Sequence, residues 1–433
     1  MMRKFAYIFA LTLFMAGNSF AANPTTQDVI NRWYKLTLEL IRHTPTYTPP
    51  VASRSLAYIG VTGFEVVASG SKLIRSLSGQ LNDLAPLPQR KASVAYDDAI
   101  VMQAALGTVV QNLFSNTGPT GQHVMAALDN KMAAEVSQDI ALARVTNSQA
   151  YGQAIAKHIL AWSQNDGGAV VENLGFPMTY DLNKANGHWA PTNAVRLQQN
   201  PLLPNWGKNR PFAMTTGTIC DIPAPAEYSE DINSELYRQA TEVVETKKNL
   251  TPEQKAIAIF WADDAMLTVT PPGHWIAIAL QILENENAPP EKFTEVLARL
   301  GIAQADAFIG CWNAKYKYNY LRPLTYIKKL IDPNWETFIN TPPFPEYPSG
   351  HSTLSGAAAT VLTQIYGDNF AFTDETGLKD GNKPRSFTSF WAAAEEAGIS
   401  RLYGGIHFRP AIENGLQQGR CIGAFATALK TRK

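Results

Sequence analysis

The chain has 433 residues, and its 37 Lys and Arg balance 37 Asp and Glu, so the formal net charge is zero and no basic face is offered to a nucleic acid. With 45% hydrophobic and only 17% charged residues it has apolar side chain enough for a large packed core, which excludes a disordered chain.

Arg3 and Lys4 precede an apolar stretch from Phe5 to Gly17 and then Ser19-Phe20-Ala21, the pattern of a signal peptide cleaved after Ala21. The expectation is a protein exported to the periplasm or the medium. The stretch is short of the roughly 20 residues that span a bilayer. No later run reaches that length either, and Trp275 to Leu283 reads as a buried helix. Apolar residues recur at helical spacing over Val29–Ile41, Ala92–Leu113, Val124–Ala143 and Gln149–Trp162. From Asn165 to about Tyr228, Gly167-Gly168 and a succession of prolines interrupt every candidate helix, marking a long irregular segment that covers a site or separates two helical halves. Helices resume with Thr251-Pro252-Glu253-Gln254, an N-cap hydroxyl, a proline at the first helical position and a capping-box Gln. Pro289-Pro290 opens another, whose stripe from Phe293 to Phe308 continues towards Trp312.

Strand-like alternation is scarce, so the predicted fold is all-α, two packed helical bundles joined by the irregular segment. The expected division is a signal peptide over 1–21, a helical region over 22–165, the irregular segment over 166–230 and a second helical core over 231–433. Cys220, Cys311 and Cys421 are too few for a disulfide framework and have no metal-like spacing; one disulfide at most can form, and each Cys also suits a small buried position.

Three stretches in the last third gather cationic and polar groups: Lys315 to Pro323, Pro348-Ser349-Gly350-His351, and Ser400-Arg401 to His407. If helix continues from Lys315 to Arg322, two turns apart, both project from one face. Pro348-Ser349-Gly350 precedes an Ala-rich helix (Leu354–Ile365), which places a hydroxyl, a backbone N–H and His351 at a helix N-terminus, a favourable place for an oxyanion. Arg401 and His407 are expected beyond a helix from Phe387 to Ile399, across a Gly404-Gly405 turn. Lys315, Arg322 and Arg401 supply fixed positive charge, and Ser349 and Gly350 supply hydrogen bonds. One histidine is then free to bond the central atom of the oxyanion and the other to move protons.

This K-x6-RP, PSGH and SR-x5-H triplet resembles the superfamily shared by vanadium-dependent haloperoxidases and type 2 phosphatidic acid phosphatases. The likeness runs from about Gly187 to Gly423 and includes Gly187-His188-Trp189, Trp206-Gly207, Pro211-Phe212, Gly273-His274-Trp275 and Phe344-Pro345-Glu346-Tyr347-Pro348. It implies that Lys315, Arg322, Ser349, Gly350 and Arg401 hold the equatorial oxygens, that His407 is the covalent partner, the ligand of vanadium if vanadate is the cofactor, and that His351 is the acid and base. The same pocket is compatible with vanadate as cofactor for halide oxidation by hydrogen peroxide, with phosphate-ester hydrolysis through a phosphohistidine and no cofactor, or with anion binding alone. Tyrosines 316, 318 and 320 and the Phe-Pro-x-Tyr lead into PSGH resemble the haloperoxidase branch, and Trp312 and Phe344 match positions that line the halide pocket in its chloride-oxidising members, or else are ordinary core aromatics. Partners are therefore small molecules, halide and peroxide or a phosphate ester; the sequence also leaves room for an oligomer.

The family pattern continues as His-x-x-x-Asp, whereas this chain has Ala411. That Asp would orient the covalent histidine, and such partners are typically worth roughly 10- to 100-fold in affinity or activity. Glu413 is a candidate replacement or an exposed helix-surface residue, and Asp306 a candidate anchor for an active-site arginine or a surface group.

Overall fold

The computed structural model describes residues 23–192 and 195–433; the expected signal peptide, 1–21, lies outside them. Helix α1 (Thr26–His43) opens with a capping box between Thr25 and Asp28. It is followed by α2 (Pro49–Gly70), α3 (Asp98–Leu113), α4 (Pro119–Val136) and α5 (Leu142–Ser163). Periodicity does not reveal α2 because every residue from Pro50 to Val66 is buried, and a helix covered on all sides has no polar face to alternate with. The predicted start of α3 at Ala92 moves to Asp98, where the Asp97 carboxylate accepts from the Ala99 and Ile100 N–H groups. The predicted Val124–Ala143 helix is two, ended at Val136 and restarted at Leu142.

The C-terminal helices are α6 (Glu235–Lys248), α7 (Pro252–Phe260), α8 (Thr270–Asn285), α9 (Pro290–Tyr318), α10 (Pro323–Leu330), α11 (Gly350–Tyr366), α12 (Phe390–Tyr403) and α13 (Arg409–Thr427). Strands β1 (Phe372–Asp374) and β2 (Arg385–Phe387) form a small antiparallel pair, so the fold is all-α with one short hairpin among the described residues. The capping box at Thr251 and Gln254 forms as the sequence predicts.

Helix α9 is the axis of the molecule. It is buried almost continuously from Phe293 to Lys315, packing on α2 on one side and on α11 and α13 on the other, and one apolar cluster runs unbroken from Val29 to Leu429 through it. The irregular segment is strapped to this axis by tyrosine hydroxyls: Tyr316 donates to Leu202 O, Tyr318 to Ile222 O, Tyr320 to Ala226 O and Tyr347 to Pro223 O. The tyrosine spacing of the first motif thus holds loop backbone. Residues 187–189 complete the strap, Trp189 N–H donating to Asn319 O and Leu321 N–H to Gly187 O. Cys220 of this segment and Cys421 of α13 form a disulfide across 201 residues, while Cys311 is buried and free. No described helix is long and apolar enough to cross a membrane.

Helices α11 and α13 approach through glycines, and this contact sets the PSGH helix against the chain that carries His407. A Cβ on Gly419 would lie 2.1 Å from Thr353 O and 2.7 Å from Ala357 N, both immovable backbone atoms. Gly419→Ala should therefore cost about 1–3 kcal/mol through overpacking, seen as a lower denaturation midpoint with an unchanged slope.

Candidate active site

The expected continuous helix from Lys315 to Arg322 does not form. Pro323 disfavours helical backbone at Arg322, which instead caps α10 with φ −82° and ψ 152°, and α9 ends at Asn319 in the left-handed conformation (φ 44°) that Asn tolerates. The two cations meet across a bend. Arg401 also moves from its predicted place: it lies in the last turn of α12, inside the helix.

Lys315, Arg322 and Arg401 are almost completely removed from solvent. Backbone carbonyls satisfy most of their donors. Lys315 Nζ donates to the carbonyls of Pro345, Glu346 and Pro348 at 2.8, 3.0 and 2.5 Å. Arg322 donates to Phe344 O and Ile406 O, each at 3.0 Å, and Arg401 to Ser400 Oγ and to Ala258 O of α7. Arg401 also faces Asp263 and Asp264. Burial lowers all three pKa values, Lys315 to about 7 and both arginines to about 10.

The two histidines differ in their partners. His407 Nδ1 lies 2.8 Å from Glu346 Oε1, and its Nε2 lies 3.2 Å from Arg322 Nη1. A guanidinium only donates, so Nε2 accepts, and the ring proton is assigned to Nδ1, donated to Glu346. The lone pair of Nε2 thereby faces the cations. His351 follows Gly350 in the first turn of α11, contacts the Trp261 backbone and leaves its own Nε2 buried without a partner. Burial first, then the surrounding cations, push both imidazoles well below their ordinary pKa. The contacts of Arg322 with Ile406 O and His407 Nε2, and of Lys315 with Pro348 O, bring the three motifs together. Ser349 caps α11 with its hydroxyl, and a Cβ on Gly350 would meet only Trp312 and Phe308, at 3.8 and 3.9 Å.

The aromatic pair is close, with Trp312 and Phe344 ring centroids 5.0 Å apart and Lys315 Nζ 5.1 Å from the Phe344 ring. The Trp312 indole N–H is already engaged with Leu202 O at 3.3 Å.

Of the two readings of Glu413 the surface one holds: it is exposed on α13, and the acid at His407 is Glu346. Asp306 is fully buried and orients no arginine; its carboxylate accepts from the backbone N–H groups of Phe212, Ala213 and Met214, tying the irregular segment to α9. Sequence reasoning also passed over His274, buried between Asp263 (3.0 Å) and Asp374 (2.8 Å), which hold its pKa well above the ordinary value against the effect of burial. The one hint was its place in Gly273-His274-Trp275. A cavity of about 230 Å³ adjoins this group and is lined by none of the motif residues, whose Lys315, Arg322, Arg401 and His407 are themselves buried.

A family model, the VCPO second helical-bundle domain, matches residues 295–433. The chain is similar to the vanadium chloroperoxidase of Curvularia inaequalis, 26% identical over 245 residues, a match spanning 42% of this chain and only 40% of that relative. Among solved structures it is similar to a bacterial vanadium-dependent iodoperoxidase, with 33% identity, 95% of this chain and 99% of that one covered, and a TM-score of 0.87. It shares its fold with a holo-type bacterial vanadium-dependent chloroperoxidase at 16% identity, with 89% and 92% of the chains covered and a TM-score of 0.67. The chain belongs to the vanadium-dependent haloperoxidase family.

The low Lys315 pKa would make binding of an anion beside it pH-dependent. Its positive charge is present below about pH 7 and lost as pH rises through that value. Sulfate, whose own charge is constant in this range, should bind progressively more weakly above about pH 7, by up to about tenfold per unit, and Lys315→Met should flatten the slope, as read by calorimetry.

Proposed function

We propose that this protein oxidises halide with hydrogen peroxide, using vanadate held at Lys315, Arg322, Ser349, Gly350, Arg401 and His407. The observation that carries this reading is the orientation of His407: its Nε2 is unprotonated and its lone pair accepts from Arg322 Nη1 among buried cations. The donor set also fits an oxyanion, since Arg322 Nη2 is buried with no protein partner, while the likewise unpartnered His351 Nε2 is left for proton transfer. One imidazole nitrogen among cations and N–H donors suits a bound oxyanion and not a bare cation.

Bound there, vanadate would act as a Lewis acid that activates peroxide for attack by halide, without changing its own oxidation state. Lys315, Arg322 and Arg401 neutralise charge on its oxygens, and the Ser349 hydroxyl and Gly350 N–H lie at the start of α11, where the helix dipole favours an anion. His351 stays neutral near pH 7, accepts a proton from peroxide at Nε2 and returns it to the departing oxygen. Glu346 and Arg322 between them hold the His407 ring.

The Trp312 N–H is spent on Leu202 O, so it offers no hydrogen bond to a small, strongly hydrated chloride; the proposed substrates are the more easily oxidised iodide and bromide. That the relative at 33% identity is an iodoperoxidase supports this choice. Export is part of the proposal, supported by the Cys220–Cys421 disulfide, which belongs to an oxidising compartment.

Purified protein loaded with vanadate should oxidise iodide and bromide with peroxide. Hydrolysis of p-nitrophenyl phosphate with no halide oxidation at any pH would instead assign a phosphatase that uses His407 Nε2 as nucleophile. Activity in neither assay would leave anion binding alone. His407→Ala should abolish turnover, whereas His351→Ala should retain vanadate binding within a few-fold and lose about 10²- to 10⁴-fold in kcat.

A further inference from the structure

Position 411, four residues after His407, is an alanine in the first turn of α13, and its carbonyl accepts from the Ser349 N–H at 3.0 Å. The segment just before PSGH therefore runs alongside the chain that carries His407. Three residues before Ser349 this segment delivers Glu346, whose Oε1 accepts from His407 Nδ1 at 2.8 Å and from the Phe408 N–H at 2.9 Å. Glu346 is wholly buried, and its own backbone is pinned, with its N–H donated to Tyr320 O and its carbonyl accepting from Lys315. One carboxylate thus fixes both the ring of His407 and the backbone of the next residue.

We infer that Glu346 is the positioning residue of His407, and that it has exchanged places with the acid that position 411 lacks: the carboxylate reaches the histidine from the facing segment instead of from the histidine's own chain. The inference rests on the proposed role of His407 at the oxyanion. Only one acid is called for at this histidine. Two carboxylates sharing a dry site repel one another, so the small side chain at 411 is the counterpart of the glutamate at 346. The ring nitrogen opposite the acid is the one beside Arg322, so losing the acceptor frees the imidazole to place its proton on Nε2, the atom the oxyanion needs bare.

The test is a set of four variants, Glu346→Ala, Glu346→Gln, Ala411→Asp and the double variant Glu346→Ala/Ala411→Asp. Orthovanadate affinity is measured by equilibrium dialysis, together with halide-oxidation kcat, thermal melting, and ¹⁵N NMR of labelled histidine to read the His407 tautomer without vanadate. Glu346→Ala should lose about 10- to 100-fold in vanadate affinity and shift the ring from the Nδ1–H form towards the Nε2–H form. Glu346→Gln, which keeps the shape and an acceptor oxygen, should keep the tautomer and lose less affinity. Ala411→Asp alone should give no gain, and the double variant should recover at least about tenfold over Glu346→Ala. Unchanged vanadate affinity in Glu346→Ala, or a double variant no better than Glu346→Ala, overturns the inference. Should the wild type bind no vanadate, the proposed function fails, and the tautomer then decides the role of Glu346 alone: an Nδ1–H ring that survives Glu346→Ala overturns it.

Discussion

Burying positive charge in a helical protein is the constraint around which this molecule is organised. A helix spends its carbonyls on its own N–H groups, so a packed helical core has few acceptors to offer a desolvated ammonium or guanidinium. The chain meets the need with a stretch that cannot become helix. Pro342, Pro343, Pro345 and Pro348 keep residues 342–348 irregular, and the carbonyls of Phe344, Pro345, Glu346 and Pro348 are thereby free to receive Lys315 and Arg322. These partners leave both N–H groups of Arg322 Nη2 unspent, an unfilled demand for an anion.

The rest of the fold serves to hold this irregular stretch between rigid neighbours. Helix α9 supplies Lys315 from one side, and α11 begins at the end of the stretch, so the histidine and the helix N-terminus are fixed by the same prolines that expose the carbonyls. The glycine contact between α11 and α13 brings the third motif against the second at backbone distance. From outside, the long segment after residue 165 is held down by tyrosine hydroxyls, by the Asp306 carboxylate and by a disulfide, with Leu202 O accepting from both Trp312 and Tyr316. Burial of Lys315, Arg322, Arg401 and His407 lowers the local dielectric, which strengthens every charge interaction among them and makes each unpartnered donor a stronger demand.

Much of this was legible in the residues. The all-α class followed from apolar spacing, and the capping box at Thr251 marked a helix start to the residue, because both signals are local. The three motifs announced the site residues by type and order. What escaped notice was of two kinds. Helix α2 was missed because a fully buried helix has no polar face to reveal its period. Asp306, Glu346 and His274 were misjudged or passed over because their partners lie on other elements: Asp306 reaches residues 212–214, Glu346 reaches 407 and 408, and His274 sits between residues 263 and 374.

By itself, then, the sequence determined the helical class, the cationic motifs and the absence of an acid at position 411, since each is a property of neighbouring residues or of a composition. Only the tertiary structure decided that the acid is present after all, arriving from Glu346, and that Lys315 and Arg322 converge across a bend and not along a helix face. The physical reason is that a buried charge is satisfied by whichever backbone and side chains the fold brings within about 3 Å, and that neighbourhood is set by how helices pack, which no spacing along the chain encodes.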